Sequence, residues 1–290
     1  MSAAEANASR LMNLEQPRKG ESGKRLDCGP MIMVTIIHNY EIDRLKYLRP
    51  RLRDIFLDFS GQITVTECAS NLIAQPTTLD LFFRNLKVKK TQICLQTRIY
   101  KFSRIKSNRQ YIKSIWRIVR AEPITKAKAL SEMNLADKHF KSCRDFLHSS
   151  AEHLIVLESD AIIENGKRLL KLLNKLNCFS SQDFICLTWP FSNLELGLPE
   201  FSDPMLEDVH SMDLQITNTT AGYVLSRELA AKLLDQATKG IFERTVAIDW
   251  FMNECFMNFQ REKGWSGMTI VPNNELIVNG SLAGEYVSGI

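Results

Sequence analysis

The stretch of sequence that decides the fold reads Glu152-His153-Leu154-Ile155-Val156-Leu157-Glu158-Ser159-Asp160-Ala161-Ile162-Ile163. Four consecutive apolar residues lead into two carboxylates that one serine separates, and an apolar run follows at once. Such a short apolar run is typical of a strand buried on both faces, as in parallel sheets covered by helices. Ligands of open α/β sheets bind outside the carboxyl ends of these strands. Glu158 and Asp160 are therefore candidates for holding a hard divalent cation against a phosphate-bearing ligand, and the alternative is a strand that ends in solvated acids.

Length and composition limit the class of protein. A chain of 290 residues can form one large α/β domain or two modest ones, and its 44% apolar and 24% charged residues are ordinary for a globular protein. The seven cysteines never occur in CxxC spacing, which argues against a zinc site or a disulfide framework. No signal peptide opens the chain and no apolar run approaches the ~20 residues of a transmembrane helix, so we expect a cytoplasmic location.

Basic residues are concentrated in residues 84–128, where Glu122 is the only acid among fourteen lysines and arginines. This asymmetry indicates an anionic partner, which is a phosphate, an anionic lipid, an acidic glycan or a nucleic acid. Two interpretations stay open. The region is either a solvated helical surface with snorkelling bases or a surface that docks on a membrane or an acidic acceptor.

The order of elements predicts a Rossmann-like start. Residues 1–29 lack an apolar period, so we expect a disordered arm. Residues 31–37 predict a strand, residues 42–57 a helix that Pro50 kinks or splits, and residues 61–68 a second strand. Later patterns predict helices at 78–120, 129–147, 227–238 and from Ile248, strands at 184–189 and 219–225, a loop at 192–212, and helix caps at Ser131 or Thr125 and at Ser226.

One spacing resembles a known family. Glu132 stands seven residues before His139, and eighteen residues separate His139 from Glu158. This arrangement resembles glycosyltransferase family 25, which includes lipopolysaccharide β-galactosyltransferases and collagen hydroxylysine galactosyltransferases. In that family the histidine belongs to a Ser-His pair, and the following strand ends in Glu-Asp-Asp. Lys138 and Ser159 depart from the pattern, because they stand in place of the serine and of the central aspartate.

Later segments extend the resemblance. Residues 220–234 are similar to the second family signature, in which a strand of small residues and a tyrosine, here Tyr223, precedes a helix with alanines and paired leucines. Ala247-Ile248-Asp249-Trp250 is similar to the apolar-apolar-Asp element of the family. Asn279-Gly280-Ser281 lies where the family often has a serine-rich turn.

The resemblance implies an α/β fold of the Rossmann-like glycosyltransferase A type, with a mostly parallel central sheet flanked by helices. Residues 30–290 would form one domain, in which 30–163 are the nucleotide-binding half and 164–290 the acceptor half. The implied activity is inverting transfer of a sugar, galactose by preference, from a nucleotide-sugar donor, typically a UDP-sugar, to a glycan or lipopolysaccharide-type acceptor. The implied cofactor is Mn²⁺ or Mg²⁺.

The chemistry of this transfer assigns candidate residues. A divalent cation stabilises the departing diphosphate as a Lewis acid. Strand alternation puts Glu158 and Asp160 on one side if the strand continues that far, so Asp160 is the predicted direct ligand and Glu158 a ligand or a water-mediated contact. Many enzymes of this fold add a C-terminal ligand, often a histidine; no histidine follows His210, so Asn279 or water takes that place. Inversion also needs a base for the acceptor hydroxyl, and Asp249 is the candidate; the alternative is an ordinary N-cap aspartate.

Two groups of residues are predicted to contact the donor from the first half of the chain. Asn39 and Tyr40 follow the first strand, where this fold receives the nucleotide base. Lys128 is a candidate for neutralising the diphosphate. The alternative, equally good, is that it is a solvent-exposed lysine at the start of a helix.

Glu132, His139 and Tyr223 complete the predicted donor site. Glu132 and His139 lie on one helix face two turns apart, where they could brace the metal strand or touch the donor. The alternative is a structural pair behind the site. Tyr223 is either a platform for the sugar or a tyrosine of the core.

Three hypotheses of function follow. The first is the metal-dependent glycosyltransferase, which residues 84–128 would hold near anionic lipid or acceptor. The second is a non-catalytic binding module of the same fold, which Ser159 and the missing C-terminal histidine motivate. The third is a basic nucleic-acid-binding protein, ranked last because no nucleic-acid motif or aromatic platform accompanies the charge.

Overall fold

The computed structural model describes residues 29–69, 77–102, 108–188, 209–217, 219–239, 247–272 and 276–281. The predicted arm and most of the predicted loop at 192–212 lie outside these residues. The strands are β1 (Met31–Ile37), β2 (Gln62–Cys68), β3 (His153–Glu158), β4 (Ala161–Ile163), β5 (Phe184–Cys186), β6 (Val209–Met212), β7 (Gly222–Ser226), β8 (Thr269–Pro272) and β9 (Ile277–Asn279). The helices are α1 (Ile42–Phe56), α2 (Thr78–Phe102), α3 (Asn108–Arg120), α4 (Lys126–His148), α5 (Gly166–Leu173), α6 (Arg227–Lys239) and α7 (Ile248–Phe259). Among the described helices, none has the length and hydropathy that a bilayer-spanning segment requires.

Seven strands form one sheet in the order β2-β1-β3-β7-β5-β8-β6. Pairing is parallel among β2, β1 and β3 and between β5 and β8, and it is antiparallel wherever β7 or β6 joins a neighbour. Five strands therefore run in one direction and two run against them. Strands β4 and β9 form a separate antiparallel pair. The expected α/β class, with a mostly parallel central sheet flanked by helices, is confirmed.

Helices cover both faces of the sheet, which explains why the apolar run of β3 is uninterrupted. Ile155 and Leu157 contribute to one core, which α1 and α5 cover. Leu154 and Val156 contribute to the other core, which α4, α6 and α7 cover. Because successive side chains of a strand point to opposite faces, one run of four apolar residues supplies both cores.

The order of the sheet reverses between β1 and β3. From β1 the chain crosses through α1 to β2 on one side, and it later returns to β3 on the other side of β1. The register sets Ile37 beside Glu158, so the residues that follow each strand emerge next to each other. Such a switch point, at the carboxyl ends of parallel strands, is where open α/β sheets bind ligands.

Some local predictions need correction. Pro50 lies inside α1, which runs from Ile42 to Phe56, so it does not split the helix. Residues 209–212 were expected in a loop but form β6, because pairing with β8 gives them a backbone partner that their sequence does not reveal. Thr125 caps α4 and Ser131 does not. The predicted cap of α6 is confirmed, since the hydroxyl of Ser226 accepts the N–H of Leu229.

Arg227 ties the end of α4 to the start of α6. Its guanidinium donates to the carbonyls of Phe146 (3.3 Å), Leu147 (2.6 Å), Ser149 (3.0 Å) and Ala151 (2.9 Å). It also lies over the Phe146 ring, 5.3 Å from the centroid. The last carbonyls of a helix have no partners inside the helix and carry partial negative charge, so a forked cation satisfies them well.

We expect Arg227→Met to lower the free energy of unfolding by about 2 kcal/mol, because charged hydrogen bonds to α4 are lost. Arg227→Lys should recover only part of this, since an ammonium cannot reach four carbonyls in a fork. Urea denaturation measures both. Arg53→Met, at an exposed position of α1, is the matched control, and equal stability of the Arg53 and Arg227 variants would contradict this capping role.

Candidate functional site

Glu158 and Asp160 leave the sheet at the switch point. Strand β3 ends at Glu158, and Ser159 and Asp160 form a turn that leads into β4. The strand does not continue to Asp160, so the condition under which alternation would align the two acids is not met. The turn nevertheless keeps the two carboxylates close. Burial raises the pKa of Asp160, and the negative charge of Glu158 raises it further.

Glu158 is held in place by polar side chains from two other elements. The Thr220 hydroxyl donates to Oε1 of Glu158 at 2.5 Å, and Nε2 of His139 lies 3.3 Å from the same oxygen. Nδ1 of His139 is 2.6 Å from the hydroxyl of Tyr223. Burial raises the pKa of Tyr223 well above its usual range, so the hydroxyl keeps its proton.

Asp160 has an oxygen that no described group satisfies. The carboxyl is 8% exposed and accepts a hydrogen bond from Ser281, yet its Oδ1 is buried without a hydrogen-bond partner among the described residues. A buried oxygen of this kind is costly unless a ligand or ion uses it. The C-terminal segment approaches here, because Gly280 donates its N–H to the Asp160 carbonyl at 2.8 Å and Asn279 pairs with Ala161.

The described residues do not offer a complete protein cage for a metal. No group of three or more His, Cys, Asp or Glu side chains among them is arranged to hold an ion. Glu158 has Oε1 engaged by Thr220 and His139, which leaves Oε2 for a ligand. The predicted ligand Asn279 lies on β9 next to the acidic turn, and its coordinating role stays a prediction.

Asp249 lies in the first turn of α7 and joins the acidic group. The N-cap of this helix is Ala247, which makes no side-chain cap, so the interpretation of Asp249 as the N-cap is wrong. Its carboxylate accepts the N–H of Trp250. Burial raises the pKa of Asp249 to about 7, and the charges of Glu132 and Glu158 add to the shift.

Glu132 and His139 both reach this region from α4, as their spacing predicts. The Glu132 carboxylate pairs with the guanidinium of Arg84, a fully buried residue of α2, and its charge acts on Asp249. Glu132 thus has a structural partner and also borders the site. Tyr223 is 1% exposed and belongs to the core, so it meets the site only through His139.

Asn39 and Tyr40 lie at the carboxyl end of β1, as predicted, and both are exposed. Tyr40 adopts φ of 66°, a left-handed conformation that a tyrosine rarely takes, and its N–H donates to Nδ1 of His38 at 3.1 Å. Lys128 is exposed on the first turn of α4, and its described contact is the backbone bond to Thr125. The contacts described for the chain do not connect the Lys128 ammonium with Glu158 or Asp160.

Sequence reasoning missed Lys138, which fixes the end of β1. This lysine is 1% exposed, and its ammonium donates to the His38 carbonyl at 2.9 Å and to Oδ1 of Asn39. Burial lowers the pKa of Lys138. The available signal was its place beside His139, where the resembling family has a serine.

Glu41 and Arg44 were also missed. The Glu41 carboxylate accepts the N–H of Asn39 and a hydrogen bond from Ser159, so it links the ends of β1 and β3. The positive charge of Arg44 acts on both Glu41 and Asp160. A signal was present, because both residues directly follow the predicted first turn.

Known sequences and structures do not place the chain in a family. No protein-family model and no curated protein matches it. Among solved structures it is similar to a glycosyltransferase involved in the glycosylation of the major capsid of PBCV-1, with 11% identity, 73% of this chain and 68% of that chain covered, and a TM-score of 0.28. A likeness at this level carries no argument about fold or activity. The resemblance to glycosyltransferase family 25 therefore stays a prediction.

The raised pKa of Asp249 predicts a pH-dependent stability. The ordinary value of 3.8 rises to about 7 on folding, so the folded chain keeps a proton that the unfolded chain releases in this window. The wild-type free energy of unfolding therefore falls as the pH rises from about 4 to about 7. Asparagine does not titrate, so Asp249→Asn should gain roughly 2 kcal/mol relative to wild type between about pH 5 and about pH 7.

Urea denaturation across this pH range measures the difference. Asp54→Asn removes an exposed carboxylate of α1 and is the matched control, for which a nearly constant difference is expected. A stability difference for Asp249→Asn that does not change with pH would contradict the buried, proton-holding carboxyl.

Proposed function

We propose that the chain is a glycosyltransferase that moves a sugar from a nucleotide-sugar donor to a glycan or glycolipid acceptor. One observation carries the proposal: Glu158 and Asp160 lie close together at the switch point, and the charge of Glu158 also acts on Asp249, a carboxyl whose pKa is raised to about 7. Glycosyl transfer needs a way to neutralise a departing diphosphate and a base for the acceptor hydroxyl. The adjacent acids Glu158 and Asp160 are suited to neutralising the diphosphate, and Asp249 with its raised pKa is suited to act as the base.

The first task falls to Asp160 and Glu158. Oδ1 of Asp160 is buried without a described partner, and a carboxylate oxygen is the ligand type that Mn²⁺ and Mg²⁺ prefer. Because the described residues lack a three-ligand cage, diphosphate oxygens and water would complete the coordination, as is common for these ions. When bound, the cation would stabilise the negative charge of the leaving diphosphate. Asn279 and Oε2 of Glu158 are the further protein ligands that we assign.

The second task falls to Asp249. A general base works best when its pKa lies near the working pH, because it is then both ionised and basic enough to take a proton. We assign to Asp249 the proton of the acceptor hydroxyl. As that proton leaves, the hydroxyl oxygen bonds to the anomeric carbon, and the bond from this carbon to the diphosphate oxygen breaks. Attack from the side opposite the diphosphate inverts the anomeric carbon.

The end of β1 is the proposed site of the nucleotide. Asn39 and Tyr40 are exposed beside the acidic turn, and the ammonium of Lys138 holds the Asn39 side chain. An exposed aromatic ring next to an amide that a buried lysine orients offers stacking and hydrogen bonding to a base. In this proposal Lys138 positions Asn39 and does not touch the donor.

A binding module without catalysis is the second candidate. Ser159 stands where the resembling family has an acid, and Thr220 and His139 already engage one oxygen of Glu158. A chain that binds a nucleotide diphosphate with a cation but never turns over a donor would fit this alternative.

Asp160→Asn should lower metal-dependent turnover of UDP- or GDP-sugars about 100-fold or more, because the amide lacks the negative charge that would hold the cation. Its free energy of unfolding should not fall, since burial already disfavours the ionised carboxyl and asparagine keeps its shape. Donor hydrolysis measures turnover, and calorimetry with UDP and Mn²⁺ measures binding. Asp54→Asn is the control with an exposed carboxylate.

The outcomes separate the two candidates. Turnover that Asp160→Asn leaves at the level of Asp54→Asn would remove Asp160 from the metal role. Metal-dependent UDP binding by wild type without turnover of any donor would support the binding module. No binding and no turnover would exclude both.

The rate of transfer should rise with pH up to about 7 and then level off, because Asp249 acts only when it is ionised. Asp249→Asn should lose roughly 100-fold or more in kcat and should also lose the rising limb. Profiles of kcat against pH for the two proteins measure this. A limb that persists in Asp249→Asn would assign the base to another group, with His139 as the next to test.

A further inference from the structure

Helices α2 and α3 carry an apolar surface that the rest of the described chain does not cover. On α2, Leu79, Phe82 and Leu86 are 63%, 58% and 52% exposed. Their spacing of three and four residues puts them on one helix face. Large apolar side chains exposed in a row are unusual on a globular protein and mark a surface of interaction.

The exposed face of α3 is divided into two stripes. Ile112, Trp116 and Val119 are 52%, 56% and 49% exposed and recur at i, i+4 and i+7. One position further along, Lys113, Arg117 and Arg120 are exposed with the same spacing. A basic stripe therefore runs beside an apolar stripe along the whole helix. The α3 sequence contains no acid.

Helices α2 and α3 pack against each other. The ammonium of Lys89 donates to the carbonyl of Val119 at 2.9 Å, and the hydroxyls of Thr97 and Tyr111 are 2.9 Å apart. These contacts define an antiparallel pair. Lys89 lies one turn after Leu86 on α2 and contacts Val119 near the C-terminal end of α3. Leu86, the last residue of the α2 row, is therefore close to that end of α3.

Not every base of residues 84–128 belongs to this surface. Arg84 is buried and pairs with Glu132, the Lys87 ammonium lies 3.5 Å from Glu254, and Lys89 bonds to the end of α3. The interpretation as a solvated helical surface is therefore wrong at Arg84, because its side chain is buried. The bases of the α3 stripe are exposed, and the guanidinium of Arg120 lies over the ring of the exposed Trp116, 5.1 Å from its centroid.

We propose that the α2–α3 surface, defined by Leu79, Phe82 and Leu86 with the two stripes of α3, docks on an anionic lipid bilayer. A helix with a Trp-containing apolar stripe beside lysines and arginines lies in the membrane interface, where the apolar side chains enter the headgroup boundary and the bases face anionic lipid. A second copy of the chain fits less well, because a symmetric contact would set one basic stripe against another. The inference does not depend on the proposed function.

Sedimentation of the full chain with lipid vesicles tests the proposal. We expect binding to vesicles of phosphatidylcholine with about 30% phosphatidylglycerol, weak binding to pure phosphatidylcholine, and loss of binding as the salt concentration rises. The triple variant Lys113→Gln, Arg117→Gln, Arg120→Gln should lower the partition coefficient roughly 100-fold, since each base contributes about a fivefold factor. Trp116→Ala should lower it at least about tenfold through lost apolar contact.

Matched controls come from the opposite face of the sheet. Leu57→Ala removes a leucine that is 70% exposed, and Arg51→Gln, Arg53→Gln, Lys167→Gln removes three exposed bases of α1 and α5. Both should bind vesicles as wild type does. Thermal unfolding of each variant checks that it is folded.

Two results would overturn the proposal. One is no binding of wild type to anionic vesicles. The other is an equal loss for the two triple variants, which would assign the effect to net charge alone. If analytical ultracentrifugation instead shows a wild-type dimer that Trp116→Ala dissociates, and vesicles do not bind, the surface joins two copies of the chain.

Discussion

The position of the Glu158 carboxylate is the constraint on which the site depends. Its charge raises the pKa of Asp160, Asp249 and Tyr223, which lie on a turn, a helix and a neighbouring strand. The Thr220 hydroxyl donates to one of its oxygens, Nε2 of His139 lies 3.3 Å from the same oxygen, and Nδ1 of His139 is next to the Tyr223 hydroxyl. Burial is the largest cause of these raised pKa values, and the charge of Glu158 is the contribution that the three groups share.

The sheet supplies the backbone that makes this arrangement possible. Strand β7 runs antiparallel beside β3, and the Ala221 carbonyl just before β7 accepts the N–H of Glu158 at 3.0 Å. The neighbouring Thr220 donates its hydroxyl to the Glu158 carboxylate. On the other side of the turn, Gly280 donates to the carbonyl of Asp160. Segments that are distant along the chain thus fix the backbone at the two acids, which Ser159 separates. The two buried cores behind β3 keep these segments from moving independently.

The sequence predicts those parts of the molecule that follow from local pattern. The apolar runs of β1 and β3 and the helix spacing of Glu132 and His139 are local, and the structure places them as expected. The sequence does not predict the features that depend on tertiary contacts. Lys138 and Arg84 look like surface bases in the sequence, but a carbonyl and a carboxylate from distant segments satisfy them inside the fold. Strand β6 likewise exists through its pairing with β8.

The raised pKa values have a consequence for binding. Asp160 and Asp249 resist ionisation because burial and the Glu158 charge disfavour a second and third negative charge in one place. Arg44 relieves this only in part, since its charge acts on Asp160 while burial remains the larger effect. A bound positive charge would favour the ionised carboxyls, so binding and proton release are linked at this site. The affinity for a cation should therefore rise with pH as these carboxyls ionise, and the binding of a neutral ligand should not show this dependence.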